Sequence, residues 1–316
     1  MANPGVQPNY IAIGANANCT LSVCPVEESI LAYRPWLTAN IFFAAYFGTI
    51  ALVHIYLGWR WKSWGFMVGM LLGCASEIIG YIGRVLLWNN PFSFPGFMIN
   101  IVQLFAAVCL TTAPVFFTGS IYVTLSKTIN FFGPELSRVN PKLFFYIFIP
   151  LDIICLALQA AGGALSTILK GNIGVNVSMA GLVLQVIVLV IFSVAFADYM
   201  IRYIRSGRRQ FQGQAVSNWR FGAFFGGLTA AIVLILARCA YRVAELQEGY
   251  DSALFHDQVP FIVLEGVLIA LAVVALCFGH PGLMFSQTVP ERKYAATSMV
   301  SIVNGNDNTK LGMALK

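Results

Sequence analysis

Seven runs of about twenty apolar residues dominate this 316-residue chain, and a run of that length crosses a ~30 Å hydrocarbon core as one α-helix. They cover roughly 37–58, 64–88, 97–125, 143–168, 177–201, 219–241 and 259–280. Hydrocarbon offers the backbone no hydrogen bonds, so each run must satisfy its own amides as a helix. Only 10% of the residues are charged and 58% are hydrophobic, whereas soluble domains carry about a quarter charged residues. The fold class that follows is all-α, a polytopic membrane protein built as a seven-transmembrane-helix bundle. Polar connectors such as WRWKS at 59–63 and NNPFSFP at 89–95 are short, and no repeat or soluble domain interrupts the runs. The expected organisation is an N-terminal tail over 1–35, a transmembrane domain over 36–283 and a C-terminal tail over 284–316. A cleaved signal peptide is not expected, because the first basic residue is Arg34 and no apolar core precedes it.

Basic residues orient the bundle, since cytosolic loops retain Lys and Arg. One set of loops and its tail hold Arg60, Lys62, Lys127, Arg138, Lys142, Arg202, Arg205, Arg208, Arg209, Arg220, Arg292, Lys293, Lys310 and Lys316. The opposite side has only Arg34, Lys170 and Arg242, beside Glu27, Glu28, Glu245, Glu248, Asp251 and Asp257. Fourteen against three puts the N-terminus outside and the C-terminus in the cytosol. The net charge of +6 is then an orientation signal with some attraction to anionic lipid, and no basic domain supports nucleic-acid binding. On the outer side, Asn18-Cys19-Thr20 is a glycosylation sequon with Asn18 as acceptor. Cys19 and Cys24 are the two of seven cysteines outside the spans, where an oxidising compartment permits a disulfide. Cys74, Cys109, Cys155, Cys239 and Cys277 read as small apolar packing residues, and no metal-ligand spacing occurs.

Charges inside the runs carry the functional information. Glu77 and Arg84 lie in the second run, Asp152 in the fourth, Arg238 in the sixth and Glu265 in the seventh. An ionisable residue at a helix centre costs about 2.5–3.5 kcal/mol on insertion scales, so such residues face the bundle interior or a partner. Glu77, Gly80, Tyr81 and Arg84 share one helical face. So do Asp152, Cys155, Gln159, Gly162 and Ser166, and Arg238, Arg242 and Glu245. Gln103 and Pro114 add a polar group and a kink to the third run. Two groupings are expected. One is a substrate pathway of Glu77, Tyr81, Arg84, Gln103, Asp152 and Gln159. The other is an outer charge network of Arg238, Arg242, Glu245, Asp257 and Glu265. For any single one of these residues a structural ion pair is the plainer reading; for the set, an interior cavity explains more. Asp198 and Arg202 read as an anchoring pair at the cytosolic boundary.

Four motifs in order, EIIGYIGR, LDIICLALQAAGGAL, RCAYRVAELQEG and a closing HPG, make the chain resemble the fungal RTA-like family of lipid-translocating exporters. The Glu-x-x-Gly-Tyr-x-x-Arg pattern falls on Glu77, Gly80, Tyr81 and Arg84, and the Asp-to-Gln-x-x-Gly-Gly pattern on Asp152, Gln159, Gly162 and Gly163. The Arg-x-x-x-Arg-x-x-Glu pattern falls on Arg238, Arg242 and Glu245, and His-Pro-Gly on His280, Pro281 and Gly282. The resemblance runs from about 35 to 285 and departs at VPFIVLEG, where the tyrosine usual before the last-span acid is missing. It implies a multi-pass protein of the plasma membrane or an endomembrane. Such a protein moves sphingoid long-chain bases or confers stress or drug resistance against lipophilic toxicants, with tetrapyrrole uptake in some relatives. Membrane lipids and an amphiphilic small molecule are the implied partners, with no cofactor and no enzymatic activity.

Rival seven-span classes fare worse, although a receptor-like lipid sensor stays as the alternative function. The third run ends in YVTLSKT without an Asp-Arg-Tyr-like triplet, and the last has no Asn-Pro-x-x-Tyr. No lysine in 259–280 is available to hold retinal. The three histidines, His54, His256 and His280, are scattered in sequence rather than clustered as zinc ligands; His280 reads as a helix cap. The orientation has a direct test: protease added to intact cells is expected to remove a tag near Asn18 and to spare one at the C-terminus. The reverse protection pattern refutes it.

Overall fold

The computed structural model describes residues 24–25, 33–89, 97–132, 137–138, 140–168, 173–206, 218–247 and 258–285. Side chains are not described at 89, 97–108, 132, 167–168, 218, 283 and 285. Among the described residues eight helices follow one another: α1 (Leu37–Trp61), α2 (Trp64–Asn89), α3 (Phe97–Phe132), α4 (Pro141–Ile168), α5 (Ile173–Arg205), α6 (Asn218–Gln247), α7 (Gln258–Phe278) and a short α8 (Pro281–Phe285). Seven of them, α1 to α7, are long and apolar enough to cross a membrane. Asn18, Cys19, Gln103 beyond its backbone, and Asp257 lie outside what is described. Cys24 is disulfide-bonded, and the five cysteines in the spans are free.

α3 is the axis of the bundle. Two-thirds of its membrane-crossing stretch is buried (67%), against 22% for α1 and for α4, which turn most of their surface outward. Its hydroxyls are satisfied along the helix: Thr118, Ser120, Thr124 and Thr128 each donate to a carbonyl three or four residues back. Around it runs an aromatic core. Tyr122 meets the Phe192 ring at 4.4 Å, Phe148 meets Phe192 at 5.5 Å, and Tyr203 meets Phe221 at 5.5 Å, which joins α3, α4, α5 and α6.

Between helices, small residues set the distances, as expected where lipid tails are as apolar as leucine and close packing supplies the attraction. On α2, a Cβ at Gly69 would run into Ser120, and one at Gly73 into the Phe117 ring. α4 and α5 cross backbone on backbone: a Cβ at Gly162 would meet Ser178 and one at Gly174 would meet Ser166. α1 and α2 are joined by a tight reversal. Lys62 is left-handed (φ 51°), and the amides of Lys62 and Ser63 return to the carbonyls of Trp59 (3.4 Å) and Gly58 (3.1 Å), which closes the end of α1.

Gly73→Val is therefore expected to destabilise the bundle by about 1–3 kcal/mol through overpacking against Phe117. Gly48→Val, where nothing lies within 4 Å of the added carbon, is the matched control. Thermal unfolding of the two purified variants in the same detergent checks this. Equal midpoints refute the close α2–α3 approach.

Candidate functional site

The interior charges converge where α7 changes its winding. Residues Phe261–Val267 form a π-helical segment, with the amide of Leu268 reaching back five residues to the Val263 carbonyl. The extra residue per turn puts two consecutive positions, Glu265 and Gly266, on the inward face. Gly266 matters here because a Cβ added to it would come within 2.7 Å of the Phe43 ring and 3.1 Å of the Tyr81 hydroxyl.

Glu265 is 1% exposed and takes two arginines of α6, Arg238 and Arg242. Arg238 Nη2 donates to Glu265 Oε1 at 2.7 Å, and Arg242 Nη1 lies 3.3 Å from Oε2. Arg242 also pairs with Glu245 at 2.7 Å. Arg238 Nη2 donates a further bond, 2.8 Å long, to the Leu110 carbonyl of α3. That acceptor is open because the residue four places on is Pro114, which has no amide hydrogen to return to it. One proline thus exposes a carbonyl, and one arginine ties α3, α6 and α7 together through it.

Arg84 on α2 is satisfied from other elements. Its Nε donates to Asn40 Oδ1 of α1 (3.2 Å), its Nη2 to the Tyr33 hydroxyl (3.0 Å), and its Cζ lies 3.8 Å over the Phe261 ring. Beside it Arg34 stacks on Trp88 at 3.9 Å, donates to the Trp88 carbonyl at 2.9 Å, and accepts from Gln258 Nε2 at its own carbonyl at 2.9 Å. The segment Tyr33–Trp36 thereby straps the ends of α2 and α7.

Glu77, two turns below Arg84, is different. It is 1% exposed, and neither carboxylate oxygen has a hydrogen-bond partner. Nearby charges are Arg238 and Glu265. One turn along the same face, the Tyr81 hydroxyl is equally buried and equally without a partner. The other described acids are all engaged: Glu265 and Glu245 by arginines, Asp198 by Arg202 and Arg138, and Asp152 by the Thr118 hydroxyl at 3.3 Å with Tyr122 beside it.

The two groupings expected from sequence are divided differently in space. Glu77, Tyr81 and Arg84 join Arg238 and Glu265 in a single cluster. Asp152 faces α3, and Gln159 donates to Gln185 Oε1 at 2.7 Å on the α4–α5 seam. Helical spacing gives the face of one helix, but which faces meet is set by packing. Asn40, Tyr33 and the Leu110 carbonyl escaped the sequence reading. Pro114 was the signal that marked the last of these.

At the opposite end of α7 two histidines scattered in sequence come together. The rings of His54 and His280 are 6.3 Å apart and both residues are fully buried. The Gly282 amide donates to His280 Nδ1 (3.0 Å), which leaves the proton on Nε2, 3.3 Å from Ser63 Oγ. The His280 ring, capping α8, pins that end of α7 to the α1–α2 reversal, and burial pushes its pKa down to about 3. Among the described residues no group of three or more His, Cys, Asp or Glu side chains fits a metal ion.

Comparison with known proteins gives this arrangement a family. The chain is 29% identical to the sphingoid long-chain base transporter RSB1 of Saccharomyces cerevisiae over 285 residues, covering 79% of this chain and 73% of that protein. It is 27% identical to protein RTM1 of the same yeast over 216 residues (67% and 66%). With the probable lipid transporter atnI of Emericella nidulans the identity is 25% over 268 residues (80% and 68%). No solved structure matches. The family described as RTA1 like protein matches residues 70–288, from the Glu77 helix through His-Pro-Gly, and the chain belongs to that family.

Proposed function

We propose that this protein is a translocator of amphiphilic lipids of the sphingoid long-chain base type, not an enzyme, and that Glu77 receives the cationic head group. The observation that carries the reading is the pair of unpartnered groups on α2: a buried carboxyl at Glu77 and a buried hydroxyl at Tyr81. They stand one turn apart, about 6 Å along the axis. A sphingoid base presents an ammonium and hydroxyls on neighbouring carbons of one alkyl chain, so the carboxylate pairs with the ammonium and the phenol with a hydroxyl. A phosphodiester head group brings negative charge to the same place and is disfavoured by the unpartnered carboxyl of Glu77. Phe43 and Phe47, stacked on Tyr81 at 5.1 and 6.0 Å, give the first methylenes of the tail an apolar wall. Names carried by relatives, a sphingoid long-chain base transporter and a probable lipid transporter, support the same class.

In this reading the N-terminal tail is extracytosolic, the C-terminal tail is cytosolic, and the membrane is the plasma membrane. The strap of Tyr33 and Arg34 and the network of Arg238, Arg242, Glu245 and Glu265 then close the outer end of the bundle. Asp152 and Gln159 continue the polar path on α4.

The test is a reconstituted flip assay in which a fluorescent sphingoid base and a fluorescent glycerophospholipid are compared in the same vesicles. The base is expected to move in a protein-dependent way and the glycerophospholipid is not. Glu77→Gln, in vesicles holding an equal amount of folded protein, is expected to lose tenfold or more in rate, on the order of the ~1.4 kcal/mol or more that one lost ion pair represents. Full activity in that variant assigns Glu77 to helix packing alone.

A further inference from the structure

We propose that Glu77 exchanges a proton for the cationic amine, so that each amphiphile carried is coupled to one counter-moving proton. This rests on the reading of Glu77 as the head-group site and adds the energy source to it.

The argument begins with the distribution of charge. Of the five acids among the described residues, four have an arginine or a hydroxyl group against them, and Glu77 alone has none. A carboxylate without donors in a low-dielectric interior is costly and takes up a proton instead. Among the described residues no group donates a hydrogen bond to it. Within electrostatic reach of it are Cys74 and Tyr81 on its own helix, Cys109 on α3, Arg238 on α6 and Glu265 on α7. Arg238 is the one cation in that set, and its Nη2 donates to Glu265 and to the Leu110 carbonyl rather than to Glu77. Arg84, the other nearby cation, is held by Asn40, Tyr33 and Phe261. Arg238 and Arg242 are thus committed to Glu265 and Glu245, Arg84 is held by neutral groups, and no guanidinium hydrogen-bonds Glu77, whose partner is left to something that comes and goes.

A proton and an ammonium group are alternatives at such a carboxyl. When the amine arrives, the Glu77 O–H bond breaks, the proton leaves, and the carboxylate so formed pairs with R–NH3+. When the amine departs, a proton from the other side restores the acid. No electrons are transferred, no other bond changes, and the carrier has the same net charge in both states. Exchange is then electroneutral, one proton against one cation. The Tyr81 hydroxyl, one turn away, lets the site tell a hydroxylated amine from a bare proton.

The experiment uses the full chain in phosphatidylcholine vesicles that hold a pH dye, with an interior about one pH unit more acidic than the bath. The probe is a fluorescent sphingoid base in its N,N,N-trimethyl form, which stays cationic and cannot leak across as a neutral amine. Its protein-dependent uptake is expected to reach about tenfold accumulation per pH unit, with alkalinisation of the interior, and to ignore a potassium-valinomycin potential. Glu77→Gln is expected to abolish this gradient-driven accumulation. Uptake driven by an interior-negative potential and indifferent to the pH gradient overturns the exchange and leaves the transport reading intact. So does a trimethyl probe that stays put while the primary amine moves. If no amine of either kind moves, both inferences fall. The wild-type vesicles decide among these outcomes even where the glutamine variant does not fold.

Discussion

The bundle depends on one guanidinium. Arg238 is 2% exposed in the interior of the bundle, and its bonds to Glu265 and to the Leu110 carbonyl join α3, α6 and α7, with Arg242 adding a second link from α6 to Glu265. In a low-dielectric interior, breaking such a pair by deleting one partner costs about 3–5 kcal/mol, because the survivor is left charged and unsolvated. Other local features follow from it. Leu110 has an open carbonyl because of Pro114, and the π segment of α7 turns Glu265 inward beside Gly266. A regular helix, with its tighter 3.6-residue turn, would place one of these two positions inward less directly.

That joint also explains why the two charges of EIIGYIGR meet different fates. Arg84 lies close enough to the end of α2 for Tyr33, Asn40 and Phe261 to reach it from the entering segment, α1 and α7. Glu77 lies two turns deeper, where the nearby cation already serves Glu265. A protein that used these charges only for register would pair both. This one gives partners to the arginine and leaves the acid without any.

The far end of α7 is held differently, by packing and neutral hydrogen bonds. His280 accepts from the Gly282 amide, lies 3.3 Å from Ser63, and packs against Phe66 and Trp61 at 4.9 and 5.0 Å. A charged joint near one end and an uncharged one at the other hold the same helix, and the π segment, where backbone hydrogen bonds are rearranged, lies by the charged joint.

Much of the fold could be read from the chain alone. Apolar runs long enough to span hydrocarbon must be helices, so the seven spans were legible, and α1, α2 and α4 begin and end close to where their polar flanks lie. The inward residues Glu77, Arg84, Asp152, Arg238 and Glu265 were legible for the same reason, since lipid does not tolerate them. Partnership was not. Helical periodicity places Glu77, Tyr81 and Arg84 on one face, but only the close approach of α2 to α3, through Gly69 and Gly73, and of α7 to α1, through Gly266, decides which charges lie opposite. Tertiary packing therefore sent Gln159 to Gln185, brought His54 beside His280, and left Glu77 without a partner. The physical reason is one of range. The hydrophobic pattern acts along each helix by itself, whereas a hydrogen bond needs two groups within about 3 Å, and that distance exists only after the helices have met.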